Sequence, residues 1–196
     1  PELFKSKRFW AYSFTTVFAS GSFFSFIGGA PFVSTNSFEL SSSAFGIYFG
    51  VTTLGYVVGS FISGKFSERF GIHFMLLQGS WITALGLLLS LFIFWLGFGS
   101  ATVFFGCMIL AGVGNGMVLP NANAGLLSVR PSLAGSASGI GGAIMLGGGA
   151  FLAYLAGLIS TEQAGPYPLM YLMIFTAFAA LFIVRYIMFL ERDIVV

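Results

Sequence analysis

The chain has 196 residues, of which 57% are hydrophobic and only 7% are charged, and its mean hydropathy is +0.97. Soluble domains carry about 25% charged residues, so this composition excludes a soluble globular fold and indicates a polytopic membrane protein. The net charge of +2 is too small and too scattered for a nucleic-acid-binding surface. One cysteine and one histidine cannot build a disulfide scaffold or a zinc site.

Six predominantly apolar runs are long enough to cross a bilayer, which takes roughly 20 residues in a helix. In chain order, these runs are 9–33, 44–64, 73–96, 101–122, 134–160 and 169–190. The predicted fold class is therefore an all-α membrane protein with six transmembrane helices. Because proline disrupts a helix interior, we expect Pro31 and Pro120 to lie in the last turns of the first and fourth spans.

If consecutive spans cross the membrane in alternating directions, all eight basic residues lie on the same side. They are Lys5, Lys7, Arg8, Lys65, Arg69, Arg130, Arg185 and Arg192. The connections on the opposite side hold only Glu39 and Glu162 as charged residues. By the positive-inside rule, both termini are predicted to lie in the cytoplasm.

Glycine and alanine recur at four-residue spacing along the fifth span. One stripe is Gly135, Gly139, Ala143 and Gly147, and a second is Gly149, Ala153 and Gly157. Small residues let helix backbones approach closely. Together with the glycine-rich second and fourth spans, this pattern predicts that the first, second, fourth and fifth spans pack together. The third and sixth spans are predicted to be peripheral and to face lipid.

Neutral side chains are the candidates for a functional site, because no Asp, Glu, Lys or His lies near the centre of any predicted span. Aromatic, methionine and hydrogen-bonding residues suit the wall of a cavity for amphipathic ligands. The candidates are Phe26, Tyr48, Thr52, Tyr56, Asn115 and Met145. Asn115 is the strongest of them, since an amide within a bilayer needs a partner or a ligand. For each candidate, ordinary helix packing is the alternative.

An enzymatic site is not expected from the sequence. The string at 136–139, Ser-Ala-Ser-Gly, lacks the first glycine of an intramembrane serine protease motif, and no catalytic residue is predicted. His73 stands at the edge of the third span, where we expect a solvated interfacial histidine.

The connection between the second and third spans carries a family signature. Residues 64–71, Gly-Lys-Phe-Ser-Glu-Arg-Phe-Gly, resemble the loop signature of the major facilitator superfamily, with Glu where Asp is usual. The residues that carry this signature are Gly64, Glu68, Arg69 and Gly71. We expect Glu68 to accept amide hydrogen bonds at the start of the third span. Arg69 is expected to pair with a carboxylate or a helix carboxyl terminus and so to latch neighbouring helices.

More closely, the chain is similar to the C-terminal half of drug:proton antiporters of the bicyclomycin resistance (Bcr/CflA) type. The strings that carry this resemblance are 29–33, 119–124 and 134–139, and the similarity extends over nearly the whole chain. It departs at Met145, around which family members often carry Gln. The resemblance implies that residues 1–196 are spans seven to twelve of a twelve-helix transporter that works by alternating access.

This resemblance implies proton-coupled export of hydrophobic drugs across the bacterial inner membrane, with a proton gradient and no cofactor. The implied partners are a small-molecule substrate, the lipid bilayer and the missing N-terminal six-helix half. Two alternatives remain open at this point. One is a major facilitator carrier for another small solute, such as a sugar or metabolite, and the other is a six-helix membrane scaffold that transports nothing.

Overall fold

A computed structural model describes residues 2–192, which form six long α-helices and two short 3-10 helices. The long helices are α1 (Lys7–Asn36), α2 (Ser42–Phe70), α3 (Ile72–Trp95), α4 (Ala101–Ser128), α5 (Ala134–Ile159) and α6 (Tyr167–Arg192). The 3-10 helices, Leu3–Lys5 and Pro131–Leu133, precede α1 and α5. All six long helices are long and apolar enough to cross a membrane, so the prediction of six spans is confirmed.

Serine residues begin three of the helices. The hydroxyl groups of Ser6, Ser41 and Ser100 accept hydrogen bonds from backbone N–H groups in the first turns of α1, α2 and α4. Each bond satisfies one of the N–H groups that a helix leaves unpaired at its start. Between α2 and α3 lies only Gly71, whose φ of 84° is the left-handed conformation that glycine adopts without a steric penalty.

Both prolines lie inside helices. α1 continues five residues beyond Pro31, to Asn36, which is close to the predicted last turn. α4 continues eight residues beyond Pro120, so the prediction that this proline lies in the last turn is wrong. A membrane helix tolerates such a proline because neighbouring groups satisfy the backbone.

Helices α1 and α4 form the centre of the bundle. α2 and α3 pack on α4, α5 and α6 pack on α1, and α3 also contacts α6. α2 and α5 are the least buried helices, while α3 and α6 bury a larger share of their residues. The prediction that the second and fifth spans pack with the first and fourth agrees with the α2–α4 and α1–α5 contacts. The prediction that the third and sixth spans are peripheral is wrong within residues 2–192, because α3 packs on α4 and α6, and α6 packs on α1. α2 and α5 each pack mainly on one central helix and leave the opposite face uncovered, which accounts for their low burial.

Two helix pairs are in backbone contact through glycine. On α2, a Cβ atom at Gly55 or Gly59 would overlap the carbonyl oxygen of Ile109 or Val113 on α4. On α1, a Cβ atom at Gly28 would overlap the carbonyl oxygen of Ala153 on α5. Such close approach requires the absence of a side chain. The α2–α4 and α1–α5 pairs are thus held by direct backbone packing.

The first small-residue stripe of α5 does not pack as predicted. Gly135, Gly139 and Gly147 have no heavy atom within 4 Å of the position of an added Cβ, and Ala143 is exposed. It is the second stripe, through Ala153 and its neighbours, that contacts α1. Since α5 presents that second stripe to α1, the first stripe faces away from the rest of the described chain.

Candidate functional site

An open cavity of about 290 Å³ is lined by residues of α1, α2, α4 and α5. Its lining consists of Ser20, Phe23, Phe24, Thr52, Thr53, Tyr56, Met108, Gly112, Asn115, Leu119 and Met145. Every one of these residues is uncharged. This volume is just below the range of about 300–1,000 Å³ that is typical of small-molecule sites.

Four of the six candidate wall residues meet in this cavity, namely Thr52, Tyr56, Asn115 and Met145. Phe26 does not line it, because its side chain is fully buried and its ring stacks on that of Phe49. Tyr48 does not line it either, since its ring stacks on Phe105 at a centroid distance of 4.9 Å. The prediction is therefore wrong for Phe26 and Tyr48, whose aromatic rings fill the helix core instead.

Only one end of the Asn115 side-chain amide has a hydrogen-bond partner. It is 4% exposed, and its Nδ2 donates to the Ser22 hydroxyl oxygen on α1 at 3.3 Å. Its Oδ1 has no hydrogen-bond partner among residues 2–192. A buried polar group without a partner costs about 1–3 kcal/mol of stability. Asn115 therefore joins α4 to α1, and its Oδ1 is a buried acceptor without a partner among residues 2–192.

Three hydroxyl groups on the cavity wall donate to the backbone of their own helices. Ser20 donates to the Thr16 carbonyl at 2.6 Å. Thr52 and Thr53 both donate to the Phe49 carbonyl, at 2.7 and 3.1 Å. Because each hydroxyl has one proton, these groups retain only acceptor capacity. The wall is thus apolar and aromatic, with neutral oxygen acceptors.

The loop signature lies on the last two turns of α2 rather than in a loop. Glu68 is exposed and helical, and no side chain caps the start of α3. The prediction that Glu68 caps α3 is wrong, because Gly71 alone separates the two helices and leaves no loop from which Glu68 could reach back. Arg69 lies over the ring of Phe70 at 5.3 Å, and the ion pairs of the described chain involve other residues. The predicted latch through Arg69 is therefore absent from residues 2–192, while Gly64 is exposed in the same turns.

A partly buried polar cluster around Glu191 joins α1, α3 and α6 at one end of the bundle. The Glu191 carboxylate on α6 accepts hydrogen bonds from Arg8 Nε at 2.6 Å and from the Tyr12 hydroxyl at 3.0 Å. His73 Nε2 on α3 lies 2.6 Å from its other oxygen. The Glu191 side chain is only 10% exposed. His73 thus hydrogen-bonds to Glu191, while its side chain remains 39% exposed, as expected for a histidine at the edge of a span.

Sequence reasoning missed this cluster, although a signal was present. Arg8, His73 and Glu191 lie at the ends of the first, third and sixth spans, which the threading places on one side of the membrane. The sequence does not show that these three ends meet.

A second polar contact that the sequence did not reveal joins α2 and α4. Asn121 is 3% exposed and donates to the Ser63 hydroxyl oxygen at 2.7 Å. Ser63 in turn lies 3.1 Å from the hydroxyl of Ser67, one turn further along α2. This contact extends the α2–α4 backbone packing toward the end of α2 that carries the signature.

Comparison with known proteins gives a family and two relatives. A family model described as Major Facilitator Superfamily matches residues 6–193. A protein named "Bicyclomycin resistance protein homolog", from Haemophilus influenzae, is 26% identical over 172 residues, which cover 84% of this chain and 41% of that protein. The "Uncharacterized MFS-type transporter YdgK" of Bacillus subtilis is 38% identical over 64 residues, 33% of this chain and 16% of that protein. No solved structure matches the chain. The chain thus spans less than half the length of these relatives.

Proposed function

The chain belongs to the Major Facilitator Superfamily, and we propose that it is the C-terminal six-helix half of a transporter that exports hydrophobic drugs or similar small molecules by alternating access. The observation that carries this proposal is the uncharged cavity between α1, α2, α4 and α5. Its aromatic and methionine side chains can repack around ligands of different shapes. The relative in Haemophilus influenzae, by its name a bicyclomycin resistance protein homolog, supports drugs as the substrate class.

A second six-helix half would supply the opposite wall of the cavity. α2 and α5 border the cavity and are the least buried helices. The unpacked stripe Gly135, Gly139, Ala143 and Gly147 lies on α5, where small residues permit close approach of a further helix. The 41% coverage of the Haemophilus influenzae relative leaves length for such a half. We therefore place the partner half against α2 and α5.

Alternating access requires each half to move as a unit. Three features support rigid motion of this half. They are the backbone packing of α2 on α4, the backbone packing of α1 on α5, and the Glu191 cluster that ties α1, α3 and α6 together. Rocking of this unit against the other half would open the cavity to one side of the membrane and then to the other.

Proton coupling, as part of this proposal, relies on the other half. The residues that line the cavity include no carboxylate within the described chain, so a coupling acid would have to come from the partner wall. The placement of all eight basic residues on one side supports an orientation with both termini in the cytoplasm. The inner membrane, as part of this proposal, rests on the resemblance to bacterial drug exporters.

The test is efflux of ethidium from cells that express the complete transporter in a drug-sensitive strain, with and without a proton gradient. Thr53→Trp would fill much of a 290 Å³ cavity and should reduce gradient-dependent efflux at least tenfold. The matched control is Leu85→Trp on the exposed face of α3, which should retain normal efflux. Normal efflux by Thr53→Trp, or no gradient-dependent efflux by the unmodified protein, would contradict the proposed function.

A further inference from the structure

Three hydrogen-bond donors from two helices meet on the carboxylate of Glu191. Arg8 Nε and the Tyr12 hydroxyl, both on α1, donate to one carboxylate oxygen at 2.6 and 3.0 Å. His73 Nε2, on α3, lies 2.6 Å from the other oxygen. Because an ionised carboxylate can only accept, Nε2 of His73 must carry a proton and donate it. One carboxylate on α6 therefore holds the ends of α1 and α3, and its hold depends on the charge of its partners.

The Tyr12 side chain extends this contact to a fourth helix. Its ring is buried against Gly125 on α4, where an added Cβ atom would overlap it. The glycine thus leaves the space in which the ring lies, and the ring places the hydroxyl beside Glu191. Four of the six long helices therefore meet around the Glu191 cluster.

His73 is the partner of Glu191 whose charge can change. Histidine is the side chain that gains or loses its charge between about pH 5 and 8, whereas arginine stays charged and a tyrosine hydroxyl stays neutral over this range. The His73 side chain is partly exposed, and its Nδ1 forms no hydrogen bond within residues 2–192. Water can therefore deliver a proton to Nδ1 while the Nε2–H group remains donated to Glu191.

The other charged side chains of the long helices do not compete for this site. α4 and α5 contain no Asp, Glu, Lys, Arg or His, and on α3 only His73 belongs to these types. The remaining charged residues of the long helices are all exposed and form no ion pair within the described part of the chain. They are Lys7, Lys65, Glu68, Arg69, Arg185 and Arg192. Because water and salt screen exposed charges, a proton on His73 acts mainly on the carboxylate that it touches.

We propose that the Glu191 cluster is a proton-binding site, apart from the cavity, that fastens α1, α3 and α6 together when His73 is protonated. A neutral imidazole gives Glu191 one hydrogen bond, and the imidazolium adds the attraction between opposite charges. The packing of these helix ends therefore tightens as the pH falls through the range in which histidine titrates. The cluster lies on the side of the termini, so it responds to the pH of the compartment that they face. This inference goes beyond the proposed function, since it requires nothing of the cavity.

The experiment is SDS unfolding of the purified complete transporter at about pH 8 and about pH 5.5, followed by circular dichroism. His73→Gln keeps an N–H donor for Glu191 but cannot become charged. At the higher pH, the unfolding equilibrium constants of the unmodified protein and of His73→Gln should agree within about twofold. At the lower pH, the unmodified protein should be the more stable by about two- to fivefold in this constant, the value of a partly exposed ion pair.

Glu191→Gln removes the anion that the imidazolium would pair with, so it should abolish the same pH-dependent gain in stability. Its matched control is Glu162→Gln, an exposed carboxylate outside the cluster, which should keep the gain of the unmodified protein. Should His73→Gln fail to fold, the comparison of Glu191→Gln with Glu162→Gln decides the question by the same ratio of equilibrium constants.

The inference is overturned if His73→Gln and the unmodified protein differ by the same factor at both pH values, because His73 then has a structural role alone. It is equally overturned if Glu191→Gln retains the pH-dependent gain, since the proton would then act elsewhere.

Discussion

A single methyl group added at Gly59 should destabilise the bundle, because this glycine lies directly against the backbone of α4. A Cβ atom at Gly59 would overlap the Val113 carbonyl oxygen and lie 2.8 and 2.9 Å from the Val113 carbonyl carbon and Cα. These are backbone atoms, which cannot rotate away as the end of a side chain can. Gly59→Ala therefore forces α2 and α4 apart along their whole contact.

The size of the destabilisation by Gly59→Ala is obtained by comparison with Gly106→Ala on α4. Gly106 has no heavy atom within 4 Å of an added Cβ. Both substitutions replace glycine by alanine inside a helix and gain the same helix propensity, about 0.5–1 kcal/mol. Their difference in unfolding free energy therefore isolates the overpacking cost at Gly59, which is about 1–3 kcal/mol.

The assay is reversible unfolding of each purified variant by increasing SDS in mild detergent micelles, followed by circular dichroism. Gly106→Ala should unfold at or slightly above the SDS fraction of the unmodified protein, and Gly59→Ala clearly below it. Equal midpoints for the two variants, or a lower midpoint for Gly106→Ala, would refute the reasoning that α2 and α4 are in backbone contact.

Three further predictions concern other parts of the molecule. In the same SDS titration, Glu191→Gln should lower the free energy of unfolding by about 1–3 kcal/mol, less than for a fully buried ion pair because Arg8 and His73 are partly exposed. The control Glu162→Gln, at an exposed position, should change it by no more than about 0.5 kcal/mol. Equal effects of the two substitutions would contradict the role of the cluster. An alkaline phosphatase fused after residue 196 should be inactive, and an active fusion would overturn the cytoplasmic placement of the C-terminus. Gly139→Leu should not lower the free energy of unfolding of residues 1–196, but it should reduce co-purification with the proposed second half. Undiminished co-purification would move the proposed interface away from this stripe.

The spans could be predicted from the sequence because the length of an apolar run is a local property. Their ends could not, since helical hydrogen bonding continues into polar residues. α2, for example, runs six residues past the predicted end at residue 64. Small-residue stripes indicated close approach but not the partner. The stripe that includes Ala153 contacts Gly28 on α1, while the equally regular stripe that includes Gly139 contacts nothing in the described chain.

The candidate cavity was predictable in part for similar reasons. Thr52 and Asn115 are polar residues on apolar helices, and polar residues in membrane spans usually face the bundle interior or a cavity. Aromatic side chains carry no such signal, because Phe26 packs in the core as readily as Phe23 lines the cavity. The Glu191 cluster joins residues up to 183 positions apart, and no local pattern in the sequence reports such a contact.

The central claim, that this chain is one half of a transporter whose cavity needs a second half, is tested most directly by ethidium efflux from energised, drug-sensitive cells. Residues 1–196 are expressed alone and together with the preceding six-helix half. The account predicts efflux that depends on the proton gradient only when both halves are present, because a single half has one cavity wall and nothing to rock against. Gradient-dependent efflux by residues 1–196 alone would contradict it and point to a half-transporter that works by self-association.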